Sequence, residues 1–497
     1  MPLRLGLLRP LFALSLFTTS AILDRCPKER SVHTVKEVGG FLPLLERLKL
    51  HSQARSSASL RCDSLKTLDV SDTELRTLPA LPKTLRALSA RNLGLADPSK
   101  LPANLSYLDI RGTVLPFKLG LPRQLTSILI DAQALPYLDF PQALRFLSVD
   151  FADLQTFSAP DGLEILVLNN PTGSRWLKTL PPHLLSLSLS NDSLGALPTL
   201  PPSLLSLEIC RSNDAQHLRF VAPRSVQRLR LDGAAPTNWP ELARNLSELD
   251  INNRTIPNDL RSNLQKLKLT GAGAPLPPLS LPSSLTELSL LSFSGGDLPA
   301  LPTHLAALDL TGTQLADLSP IRKLRYLKRL VLANQSTVDL HIIPDSLERL
   351  DISGVEHIIS IPDWPANLET LIYKRGSQDF LSSLPQTLDE LNIDETHGIA
   401  KLPPKLRVER FSARDSDLEH ISVAFLHEVQ SLDICGSRVE KLPNMALPIK
   451  ALSVHLDQIG ELSLQRELRV LIVRMPDECI DSDIHRWLNV EQNAEHY

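Results

Sequence analysis

A six-residue phrase, Leu-x-x-Leu-x-Leu, returns roughly every twenty residues through almost the whole chain, and no other property constrains the fold as much. It reads Leu65-x-x-Leu68-x-Val70, then Leu105-x-x-Leu108-x-Ile110, then Leu125-x-x-Ile128-x-Ile130. Its first residue recurs at Leu45, Leu65, Leu85, Leu105, Leu125, Leu144, Leu163, Leu184, Leu204, Val226 and Leu246. It continues at Leu264, Leu285, Leu305, Leu327, Leu347, Leu368, Leu388, Val408, Val429, Ile449 and Leu468. A fixed period of this size means a solenoid, because one unit cannot bury its own apolar face and neighbours must stack to make a continuous core. The spacing predicts about 22 units over residues 45–474. Residues 1–44 are left as a leader and N-terminal cap, and residues 475–497 as a C-terminal capping tail.

Each unit reads as a short strand followed by a return path. In the unit that begins at Leu184, alternation turns Leu187 and Leu189 inward and Ser186, Ser188 and Ser190 outward. Stacked strands of this kind make a parallel sheet on the concave face. The return path carries most of the 39 prolines, as in the Leu-Pro-Ala-Leu-Pro copies at 78–82 and 298–302. Proline fixes its own φ and disfavours helix at the residue before it, so the convex side is expected to be extended or polyproline-like.

The Leu-Pro-x-Leu-Pro-x-x-Leu-x-x-Leu-x-Leu unit resembles the leucine-rich repeats of bacterial type III secretion effectors. These include the YopM-like scaffold effectors and the repeat portion of the IpaH/SspH-type ubiquitin ligases. The resemblance implies a leucine-rich-repeat solenoid, an α/β-class horseshoe, that binds host proteins and is secreted, with delivery into a host cell. The chain departs from that pattern in two respects. The family places an Asn just after the strand as a ladder residue; here Thr73, Thr113, Thr313, Thr396 and Ser437 stand there, and a hydroxyl can take over part of the role. The ligase members also carry a large helical catalytic domain after the repeats, for which residues 475–497 offer no equivalent.

Chemistry is sparse in the sequence. Cys479-Ile480-Asp481 superficially resembles the ligase Cys-x-Asp, but a thiolate nucleophile needs an electropositive setting and a base. The other reading is that Cys479, Ile484, Trp487 and Leu488 form a capping stripe at helical spacing. The five cysteines lack C-x-x-C spacing and the thirteen histidines lack His-x-x-x-His, so neither a metal nor any other cofactor is expected. A net charge of -4 argues against nucleic acid as partner. Arg4 and Arg9 before the apolar run to Ile22 resemble a secretory signal with cleavage near Ala21. Export to the cell surface or periplasm is the alternative location, and no other stretch could span a membrane.

The outward strand positions supply the candidate site, with a protein as the expected partner. Leu129, Phe146, Ile165 and Val167 make an apolar zone. Arg228, Arg230, Lys266 and Lys268 make a basic one, and an acidic column runs through Asp69, Asp109, Glu208, Asp250, Asp309, Asp351 and Asp433. Either these charges pair across neighbouring strands as a solvated sheet face, or they form a partner-binding surface in three zones.

Overall fold

The computed structural model describes residues 20–24, 47–50 and 470–474, and 65–458 apart from short stretches, the longest at 151–158, 170–179, 211–217, 237–244 and 253–259. The leucine phrase folds as its alternation demands. In Thr67–Asp69 and Ser127–Asp131 the burial alternates residue by residue, and Leu65, Leu68 and Val70 are fully buried. Every one of the predicted starts precedes a strand, from Arg47–Leu50 to Val470–Arg474, except Leu388 and Val408, which lie within theirs, Thr387–Asn392 and Arg407–Ser412. One further strand, Ser20–Asp24, lies in the stretch assigned to a leader.

The described chain forms two compact units. The first comprises residues 1–153 and 429–497, the second residues 154–428. In the second, strands from Ile165–Asn169 to Arg407–Ser412 pair in parallel with the next repeat in sequence; Leu187, Leu207 and Leu229 stay in register through three of them. In the first unit, Thr67–Asp69 through Phe146–Asp150 pair the same way. There, Ser20–Asp24 pairs in parallel with both Arg47–Leu50 and Val470–Arg474. The first and last strands among the described residues are therefore neighbours, and each covers an edge of the other.

Between strands the backbone follows a fixed recipe. The N–H of the first leucine closes a turn on the carbonyl of a proline three residues earlier, as in Leu85 to Pro82, Leu204 to Pro201 and Leu305 to Pro302, at 3.1, 3.2 and 3.2 Å. Just after many of the strands a residue takes a left-handed conformation. The column runs through Asp72, Asn92, Gly112, Ser292, Gly312, Asn334, Gly354, Asp415 and Gly436. At Gly112, with φ +68°, a side chain would also strike Asn92 Oδ1 at 1.7 Å. The return path contains short 3-10 turns such as Ser319–Lys323 and Leu381–Ser383. Among the described residues its α-helix is the four-residue Val423–Leu426. The expectation of an extended, helix-poor convex side holds.

Hydroxyls replace the expected ladder of asparagines. Thr313 is completely buried; its Oγ1 donates to the Leu290 carbonyl at 2.6 Å and accepts the Phe293 N–H at 3.3 Å, both in the preceding repeat. Thr113 makes the same pair of bonds to Ala90 and Leu93. Thr396 and Ser437 donate only within their own repeat, and Thr73 lies outside the described residues. A second ladder precedes the strand, where Thr84, Ser203, Ser225, Ser284 and Ser346 donate to the first leucine's carbonyl one repeat back.

Candidate protein-binding face

Because successive side chains of a strand point to opposite faces, the residues between the buried leucines line the open face of the sheet. The acidic column there does two jobs. Asp69, Asp109, Asp309, Asp351 and Asp433 each accept the N–H two residues on, so the carboxylate ends the strand in an Asx turn. Three-residue strands such as Ala307–Asp309 and Arg349–Asp351 stop at this residue. Asp109 is 3% exposed and is gripped by Arg111 through Nε at 3.0 Å and Nη2 at 2.8 Å. Much of the acidic column is thus backbone capping, which the sequence alternation alone does not reveal.

The basic zone does not stand as a basic surface. Arg230 reaches Glu208 at 2.7 Å and Asp250 at 3.3 Å, and Lys268 reaches Asp250 at 3.2 Å. One column over, Lys266 lies between Glu248 at 3.9 Å and Glu287 at 3.4 Å, and Arg329 closes on Glu287 at 3.1 Å. The register pairs Glu248 with Lys266 and Lys266 with Glu287, so opposite charges sit on adjacent strands and cancel. Arg228 is exposed in that column and has no ion pair among the described residues.

The apolar residues divide between the units. In the first, Leu129 and Phe146 lie on adjacent strands, Leu129 opposite Ser148 and Phe146 opposite Ser127, so they are diagonal neighbours. Both are half-buried. In the second, Ile165 and Val167 share the Ile165–Asn169 strand, and Ile165 is 37% exposed.

Sequence reasoning missed the cluster beside Leu129. Asp131 and Asp150 are register partners at the ends of adjacent strands, and Arg111 approaches Asp150 at 3.8 Å. Asp131 accepts the Gly112 N–H at 2.6 Å. Burial raises its carboxyl above the ordinary carboxylate range, the Gly112 bond opposes this, and the neighbouring Asp150 adds to it. Burial and the adjacent Asp109 likewise raise the Tyr107 phenol. The position just after the strand signal was legible as a column but carries no fixed residue type. Cys210 is pushed up to about 11, by burial and then by Glu208, and is a protonated thiol at neutral pH. Cys479 lies outside the described residues. Among the described residues no helix is long and apolar enough to cross a membrane.

Phrase, register and paired hydroxyl ladders define a leucine-rich-repeat protein. No protein-family model matches the chain. It is 25% identical over 327 residues to the disease resistance protein RRS1 of Arabidopsis thaliana, a match covering 58% of this chain. The chain spans only 23% of that relative's length. Among solved structures it resembles YopM from Yersinia enterocolitica, with 20% identity, 88% of this chain and 79% of that chain covered, and a TM-score of 0.23. It also resembles CroV588, described as a novel circular LRR protein, with 17% identity, 88% and 77% coverage and a TM-score of 0.40.

Proposed function

We propose that the chain is a non-enzymatic scaffold that binds a protein partner through the open face of its sheet, and that it acts as a secreted effector engaging a host protein. The supporting observation is the contrast along that face. Its charges are largely satisfied within the sheet, while Leu129, Phe146, Ile165 and Val167 remain partly exposed there. A partner that covers the apolar residues of either unit gains apolar burial without breaking many ion pairs, which gives the apolar positions most of the affinity and the charges a role in orientation. The effector and host reading rests on the likeness of the repeat unit stated above.

Affinity capture tests it, using the intact chain on a eukaryotic and a bacterial lysate in parallel. A saturable eukaryotic partner that is lost on Phe146→Ala is the expected result. Capture from the bacterial lysate alone, or capture indifferent to Phe146, would overturn the host-directed reading.

A further inference from the structure

On the open face of the first unit, one buried hydroxyl, Ser148, lies beside both apolar and acidic side chains. Ser148 is 3% exposed, and its hydroxyl has no hydrogen-bond partner among the described residues. A buried hydroxyl without a partner carries a desolvation penalty that natural folds rarely leave unanswered. Thr113, Thr313 and Ser416 are buried and bonded, whereas Thr370 and Ser453 share with Ser148 the lack of a hydroxyl partner among the described residues.

The neighbours of Ser148 say what would answer it. Strand alternation places Phe146, Ser148 and Asp150 on one face. The register puts Leu129 beside Ser148 and Asp131 beside Asp150. The hydroxyl therefore lies between an apolar wall, Leu129 and Phe146, and a carboxylate pair, Asp131 and Asp150. Arg111 is committed to Asp109 and touches only Asp150 of the pair. Asp131 accepts one backbone N–H and has no ion pair among the described residues.

An acceptor hydroxyl, an aliphatic wall and a carboxylate that is in no ion pair among the described residues, Arg111 acting on it only from a distance, are the complement of a lysine. Its methylene stem packs on apolar surface and its ammonium offers three donors. We propose that the crease between Leu129, Phe146, Ser148 and Asp131 receives a lysine side chain presented by an extended segment of the protein partner. The ammonium meets the Ser148 hydroxyl and the Asp131 carboxylate, and the stem lies against Leu129, the register partner of Ser148. This assignment rests on the protein-binding reading above and adds the chemistry of the residue that is read.

The test titrates the full chain into three fluorescein-labelled peptides, Gly-Ser-Ala-Leu-X-Leu-Ala-Ser-Gly, with X as lysine, norleucine or glutamate, followed by fluorescence anisotropy. The lysine peptide should bind at least about tenfold more tightly than the other two, with the advantage shrinking as salt is raised. Asp131→Asn keeps an oxygen for the Gly112 N–H and should erase the lysine preference. Ser148→Ala should weaken the lysine peptide while leaving the thermal midpoint unchanged or higher, a combination that a purely structural hydroxyl would not give. Equal binding of the three peptides, no binding of any, or a lysine preference that survives both substitutions overturns the proposal. If the peptides fail but the intact chain still captures a eukaryotic protein through Phe146, the crease is wrong and the scaffold reading stands. If both fail, the scaffold reading falls as well.

Discussion

At the scale of single residues, the fold depends on side chains that satisfy the backbone of a neighbouring repeat. Thr313 holds a donor and an acceptor of the repeat before it in a fully buried site. Thr313→Val keeps the shape and leaves both backbone groups unsatisfied, so it should cost about 1–3 kcal/mol of stability. Thr396→Val removes a bond made within one repeat and should cost less. Chemical denaturation of the two variants checks the order, and an equal loss would refute the ladder. Asp131 gives a prediction in pH. Its carboxyl is raised in the folded chain, chiefly by burial, so ionising it costs more folded than unfolded. The penalty is present at pH values above the folded value and absent below the unfolded one, where the group is protonated in both states. Asp131→Asn should therefore gain stability relative to the unsubstituted chain as pH rises from about 3 to about 7. Thermal midpoints measured at both ends decide this, and a difference independent of pH sinks it.

At the scale of strands, the sheet face is a ladder of alternating charge, and this changes what a charge substitution can report. Lys266→Glu places three acidic side chains in a row with Glu248 and Glu287, so it should destabilise the second unit whether or not a partner binds there. The side chains are about half exposed, so the cost should be about 0.2–1 kcal/mol and should fall in high salt. Arg228→Glu breaks no ion pair among the described residues and is the cleaner probe of partner capture. A salt-independent loss for Lys266→Glu would contradict the ladder. The strands were legible in the sequence because leucine at a fixed spacing marks every core position, and the proline turns were legible because proline restricts φ wherever it stands. The cancelled charges were not. The sequence shows that Arg230 and Lys266 face outward, but only the parallel register shows that each has acidic partners on adjacent strands. The dual role of Asp309 and Asp351 was hidden for a similar reason: an outward carboxylate and a backbone cap look alike until the strand is seen to end there.

At the scale of the molecule, the first and last described strands pair within the first unit. Ser20–Asp24 escaped the repeat pattern because its register sets Ala21 where Leu48 stands in the next strand, so the phrase there lacks its central leucine. Cleavage near Ala21 would cut this strand and leave Arg47–Leu50 and Val470–Arg474 each without the neighbour that pairs both of them. Exposed strand edges are sites of unwanted pairing, so the arrangement predicts that the strand stays on the folded protein. The register offers a direct check, since Ser20 faces Val470 across the pair. Neighbouring parallel strands lie about 4.8 Å apart, within the span of about 4.4–6.8 Å that a disulfide bridges. A chain carrying both Ser20→Cys and Val470→Cys, oxidised when dilute and run without reductant, should form a cross-linked monomer that neither single variant forms. Loss of the bond on removing residues 1–24 would confirm the origin of the link. A cross-linked dimer in place of the monomer would mean that the last strand pairs with the first strand of another copy. No cross-link in either form would overturn the pairing, and the two edges would then need covering by a partner.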